Sequence, residues 1–95
     1  MIKEFTLGAS VWKVEEVDEL RNSEVMGLSS LGETKIFISN TWQGDKMSKA
    51  SKEATLYHEV VHAILDSLGQ HKLSKDEILV QGIALLMEQF EKSKI

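Results

Sequence analysis

The segment SKASKEATLYHEVVHAILDSLG, residues 48–69, predicts the main helix of the chain. It contains no glycine before its last position, and its apolar residues recur at spacings of three and four, which is the period of an amphipathic helix. Gly69 marks the expected end, because glycine readily adopts the left-handed conformation found after a helix. The predicted helix covers about residues 48–68, and its apolar stripe consists of Ala54, Tyr57, Val61, Ile64, Leu65 and Leu68.

A second helix is predicted over about residues 74–91, after a short loop. Its expected core-facing stripe is Leu79, Ile83, Leu86 and Phe90. Gly82 interrupts this helix, and a glycine there indicates close packing against the neighbouring helix. Two helices joined by so short a link should pack antiparallel.

The first 45 residues are rich in short strand-like segments. Residues 11–17, 24–28 and 34–40 each contain β-branched or aromatic residues bounded by Gly, Ser or Asn. Residues 29–33 between the last two are typical of a hairpin loop. We therefore predict an α+β fold for residues 1–95 as a single domain. A small N-terminal antiparallel sheet of about three strands would pack on the two C-terminal helices.

The composition excludes several classes of function. The chain has no cysteine, which rules out disulfides, thiolate metal ligands and a cysteine nucleophile, so any metal site must use nitrogen and oxygen atoms. Fifteen acidic and 11 basic residues give a net charge of −4 with scattered lysines, so nucleic acid is not an expected partner. No apolar run approaches the roughly 18 residues that span a bilayer, and residues 1–10 do not form a secretory signal. No membrane partner is expected, and the cytoplasm is the predicted location.

The motif HEVVH, residues 58–62, contains the candidate metal-binding and catalytic residues of the predicted main helix. His58 and His62 are four residues apart, so both imidazoles leave the same side of the helix and can bind one ion. Glu59 lies rotated towards the polar side, where it can reach a metal-bound water as a general base. The alternative is that both histidines are partly buried helix residues, hydrogen-bonded to backbone or carboxylate groups.

HEVVH on a helix that follows a strand and precedes an acid-bearing helix resembles the zincin metallopeptidases of the glutamate-ligand type. The run TLYHEVVHAILDSLG is similar to short metallopeptidase-like proteins of phages and prophages, and more distantly to the ImmA/IrrE group. The resemblance covers about residues 34–90, and the His-Glu-His pattern is its specific part. In the ImmA/IrrE group a downstream helix carries a glutamate, and EILVQGIALL, residues 77–86, has a comparable layout. The resemblance implies one Zn²⁺ per chain, with Glu77 as its third ligand.

Spacing alone leaves the third ligand open. In an antiparallel helix pair Glu77 and Glu88 lie at similar distances from the two histidines. His71 in the loop and Asp66 in the first helix are further candidates, although a supporting or surface role suits them better. Ser74 and Glu77 also form an S-x-x-E capping box, a structural role that competes for the same carboxylate.

Three interpretations of function follow from these residues and the resemblance. The first is a zinc-dependent metallopeptidase that acts on a peptide or protein substrate through a metal-activated water, with Glu59 as the base and Gln81 supporting Glu77. By analogy with zincins, residues 34–40 would pair with an extended substrate. The alternative is a non-catalytic metal-binding interaction module of phage or bacterial origin. Hydrolysis of a non-peptide amide is a third reading, since the same groups would serve it.

Overall fold

A computed structural model describes all 95 residues. The chain forms six strands and three helices. In order they are β1 (Glu4–Leu7), β2 (Ser10–Val17), β3 (Gly27–Ser30), β4 (Lys35–Ser39), β5 (Thr41–Trp42), β6 (Asp45–Lys46), α1 (Lys49–Ser67), α2 (His71–Ser74) and α3 (Glu77–Ser93). A sheet in the first half is followed by helices in the second, which confirms the α+β class.

The main sheet has four strands in the order β1-β2-β4-β3. β1 pairs antiparallel with β2 and β3 pairs antiparallel with β4, whereas β2 and β4 are parallel. The prediction of a wholly antiparallel sheet of about three strands therefore missed β1 and the parallel pair. β1 joins β2 through a two-residue turn in which Gly8 has φ +59°, a conformation that favours glycine in a tight hairpin. β5 and β6 form a separate hairpin.

α1 lies between the sheet and α3, and its ends follow the sequence signals. Ser48 caps its start by accepting a hydrogen bond from the Ser51 amide at 3.1 Å. At its end Gly69 has φ +74°, and the Gln70 amide donates to the Leu65 carbonyl at 2.8 Å, which is the Schellman arrangement. The predicted helix over about residues 48–68 is therefore confirmed to within one residue at each end.

Two apolar clusters hold α1 in place. The larger one joins the sheet to α1 and contains Trp12, Val14, Ile36, Ile38 and Ala63. The smaller one joins α1 to α3 and contains Val61, Val80 and Ala84. Because α1 contacts the sheet on one side and α3 on the other, its buried residues do not form the single predicted stripe. Ala54 and Leu68, which were assigned to that stripe, are exposed.

The predicted second helix corresponds to α3, which begins three residues later than expected, and the predicted loop before it contains the short helix α2. α2 ends at Ser74, and α3 begins at Glu77 with Asp76 as its N-cap, whose side chain accepts from the Leu79 amide at 3.1 Å. Lys92 of α3 lies 3.3 Å from Glu53 near the start of α1, while the start of α3 lies beside His58. The two long helices are therefore antiparallel, as predicted.

The predicted core-facing stripe of this helix was wrong at three of its four positions. Ile83 packs on the buried cluster, but Leu79, Leu86 and Phe90 are 37%, 67% and 65% exposed. The residues that face α1 are Val80 and Ala84, with Ile83 and Met87 beside them. α3 is apolar on two sides, so its period alone does not indicate which side meets the core. None of the helices combines the length and apolar content needed to cross a membrane.

Candidate metal centre

His58 and His62 lie one turn apart on α1 and direct their imidazoles towards the start of α3. Their Nε2 atoms are 3.3 Å apart, and their ring centroids are 5.0 Å apart. Both side chains are partly buried, at 22% and 16% exposure. The i, i+4 spacing on a regular helix is sufficient to produce this pair.

Glu77, the first residue of α3, brings its carboxylate to the same point. Its Oε2 lies 2.9 Å from Nε2 of His58, and its Oε1 lies 3.3 Å from Nε2 of His62. Ligands 2.0–2.1 Å from a tetrahedral zinc ion are about 3.3–3.4 Å from one another. The two histidine nitrogens already have that separation, and each of them faces a different carboxylate oxygen of Glu77. Two imidazoles and one carboxylate are a donor set that suits zinc.

The remaining nitrogen of each imidazole has a polar partner. His58 Nδ1 lies 2.7 Å from Oε1 of Gln81, and His62 Nδ1 lies 3.0 Å from the hydroxyl of Ser74. The Gln81 carbonyl oxygen only accepts, so Nδ1 of His58 donates to it, and Nε2 is the nitrogen that would face a bound ion. Partners of this kind orient the imidazoles and raise their basicity towards a metal ion. Gln81 was predicted to support Glu77, but its contact is with His58.

Ser74 does not cap α3. The capping box, the alternative role for Ser74 and Glu77, does not form, because Asp76 caps α3 and Ser74 belongs to α2. Ser74 is buried, at 6% exposure, and its hydroxyl is free to contact His62. The carboxylate of Glu77 is likewise not used as a cap. The sequence carried no signal for the Ser74–His62 contact, because it depends on the turn by which α2 returns the chain to α1.

Glu59 is buried on the side of α1 that faces β3, whereas the helical period placed it towards the polar side. Its exposure is 7%. The close approach depends on Gly27 of β3, where a Cβ atom would lie 3.0 Å from Cγ of Glu59. Burial raises the pKa of Glu59 from 4.5 to about 7; His58 opposes this rise, and the negative charge of Glu77 adds to it.

An open cleft of about 780 Å³ connects these residues. One wall is residues 24–29, which include part of β3, and the opposite wall is α1 with His58, Glu59 and His62. Trp42, at 38% exposure, also lines the cleft and is not a buried packing anchor, whereas Trp12 is fully buried.

The strand beside the cleft differs from the predicted one. β4, which contains most of residues 34–40, lies between β2 and β3, so both of its edges are paired. β3 is an edge strand, paired only with β4, and its residues 27–29 line the cleft. The expectation that residues 34–40 would pair with a substrate is therefore wrong for this fold, and β3 is the strand with a free edge at that place.

The other proposed ligands lie outside the group. Only His58, His62 and Glu77 place their ligand atoms within 4.8 Å of one another. Glu88 lies further along α3 and pairs at 2.8 Å with Lys92, which is one turn beyond it. His71 and Asp66 contact each other at 3.2 Å.

Comparison of the chain with protein-family models, with curated protein sequences and with solved structures gives no significant match. The resemblance to zincins therefore stays a prediction that rests on the HEVVH motif and the glutamate that follows it.

Proposed function

We propose that this chain is a zinc-dependent hydrolase of peptide bonds, with the ion bound by His58, His62 and Glu77. The observation that carries the proposal is the convergence of two imidazole nitrogens and one carboxylate from two helices, with their ligand atoms within 4.8 Å of one another. The partners on both histidine Nδ1 atoms support it, because they orient the imidazoles as metal sites require. A bound zinc ion would lower the pKa of its water to about 7 and polarise the scissile carbonyl.

Glu59 is the proposed general base. Its carboxylate accepts the proton of the attacking water and then delivers it to the leaving nitrogen of the peptide. Burial raises the pKa of Glu59 to about 7 in the metal-free protein, and a zinc ion nearby would lower it, so the carboxylate would be ionised and able to accept a proton near neutral pH. Its placement in the cleft beside His58, rather than among the ligands, leaves it free for this role.

The free edge of β3 is proposed to hold the substrate. An extended peptide in the cleft would pair its main chain with β3 and cross the three ligands. This pairing takes the role that the sequence assigned to residues 34–40. The location in the cytoplasm stays a prediction.

Metal content is the first test. Purified wild type should contain about one zinc ion per chain by elemental analysis, and His58→Ala and Glu77→Gln should lose it. Glu88→Gln is the matched control, because it removes a carboxylate from the same helix but outside the ligand group, and it should keep the ion. A wild type that takes up no zinc after incubation with excess metal would contradict the proposal.

Hydrolysis is the second test, with a library of fluorescence-quenched peptides as substrate. Glu59→Gln should keep zinc and lose activity by about 10²–10⁴-fold, because it removes the base without touching a ligand. A protein that binds zinc but cleaves nothing, in the wild type as well as in the variant, would support the alternative of a non-catalytic interaction module.

A further inference from the structure

The outward side of α3 is an apolar surface that no other part of the chain covers. The inward side is buried on α1 through Val80 and Ala84. The outward side carries five large apolar residues, Ile78, Leu79, Leu85, Leu86 and Phe90, with exposures of 88%, 37%, 54%, 67% and 65%. We call these five residues the outer face of α3. A helix that is apolar on both sides is typical of one that is covered on both sides.

The outer face is as large as the largest apolar patch that a typical monomer exposes. Its five residues present on the order of 600 Å² of surface, at the upper limit for such a patch. Two copies packed through this face would bury up to roughly 1,200 Å² in total, the lower end of the range for specific interfaces. The area is therefore sufficient for a small dimer contact.

Gly82 lies in the middle of the outer face. Apart from the adjacent residues and the backbone of its own helix, nothing lies within 4 Å of where its Cβ would be, so the predicted packing of Gly82 against the neighbouring helix is wrong. Glycine inside a helix weakens it, and here no contact within the chain offsets that effect. A glycine at this position does allow a second helix to approach the backbone of α3 closely, as small residues do where helices cross.

The arrangement of the outer face suits a second copy of the same helix. In an antiparallel pair with its two-fold axis between Gly82 and Leu86, Gly82 faces Leu86 of the other copy and Ile78 faces Phe90. Antiparallel pairing also places the positive end of each helix dipole beside the negative end of the other.

We propose that the outer face of α3 is the interface of a symmetric homodimer, in which two α3 helices pack antiparallel across Gly82. Glu77 and Gln81 project from another side of α3, towards the histidines of α1. The pairing therefore leaves the candidate metal centre and its cleft accessible. The proposal does not depend on whether the chain binds zinc or hydrolyses peptides.

The test is the mass in solution of the full chain, by sedimentation equilibrium, for the wild type and two variants. Leu85→Lys places a charge on the outer face. Ile2→Lys is the matched control, because Ile2 is exposed to the same degree, 53% against 54% for Leu85, but precedes β1. We expect the wild type and Ile2→Lys to have twice the chain mass of 10.7 kDa, and Leu85→Lys to have the single mass.

Two results would overturn the proposal. The first is a wild type that stays monomeric up to about 1 mM, a concentration at which even a very weak self-association is visible; the outer face would then meet something other than a second copy. The second is a dimer that persists in Leu85→Lys, which would place the interface elsewhere. Circular dichroism of both variants confirms that neither substitution of an exposed residue unfolds the chain.

Discussion

Replacement of Gly27 by alanine tests the contact on which the buried position of Glu59 depends. The added methyl carbon would lie 2.7 Å from Cγ2 of Thr55, 3.0 Å from Cγ of Glu59 and 3.2 Å from the carbonyl oxygen of Phe37, whereas atoms in ordinary contact lie 3.4–4 Å apart. Thr55 cannot easily turn away, because its hydroxyl donates to the Ser51 carbonyl at 2.8 Å. β3 and α1 must therefore move apart, and a shift from 2.7 to 3.4 Å would restore ordinary contact.

Overpacking of this kind costs about 1–3 kcal/mol in free energy of unfolding. In urea denaturation of the metal-free protein, the Gly27→Ala midpoint should fall by roughly 1–2 M with an unchanged slope. Gly32→Ala is the matched control: no atom lies within 4 Å of its Cβ, so its free energy of unfolding should stay within about 0.5 kcal/mol of the wild type.

A second substitution identifies the clash. Thr55→Ser deletes the methyl group that is nearest to the new Cβ but keeps the hydroxyl that bonds Ser51. The double variant should recover about 1 kcal/mol relative to the sum of the two single changes. Equal midpoints for Gly27→Ala and Gly32→Ala, or strictly additive effects in the double variant, would refute the reasoning that β3 and α1 require glycine at this point.

Three further predictions concern the site and α3. Burial raises the pKa of Glu59 from 4.5 to about 7, so the metal-free wild type loses stability as pH rises through that range, whereas Glu59→Gln does not. In urea titrations with EDTA, the free energy of unfolding of the variant relative to the wild type should rise by roughly 3 kcal/mol between pH 4.5 and 8. Equal pH profiles would contradict this. Ser74→Ala should weaken zinc binding about 10-fold in competition with a chelating dye, because His62 loses its orienting partner, whereas Ser67→Ala at the exposed end of α1 should not. Gly82→Ala, made in the monomeric Leu85→Lys background, should raise the free energy of unfolding by about 0.5–1 kcal/mol in thermal melts, and a loss of stability would mean that the position is crowded within the chain.

The parts of this protein that the sequence predicts correctly depend on local spacing. α1 was bounded correctly because a serine cap and a glycine end signal lie at its two ends. The pairing of His58 with His62 follows from helix geometry alone. The strands β2, β3 and β4 were recognised by composition, although β3 begins three residues later than predicted.

The features that were missed depend on contacts between distant segments. The helical period of α1 placed Glu59 on the polar side, because the spacing of apolar residues within one helix does not show that Gly27 of β3 packs against that side. Glu88 stayed an alternative to Glu77 because the register of two antiparallel helices depends on where the second begins. The short helix α2 moves that start to residue 77, which places the first residue of α3 directly beside both histidines.

The position of Glu77 on a different helix from the histidines makes any bound ion a cross-link. α3 is attached to the rest of the chain by one small apolar cluster of three buried residues with four partly buried neighbours. An ion held by residues 58, 62 and 77 would fasten the start of α3 to the middle of α1 and add its binding free energy to that docking. Removal of the ion should then make local opening of α3 more frequent while the sheet and α1 are unaffected. Hydrogen exchange would show this as fast exchange confined to residues 77–93.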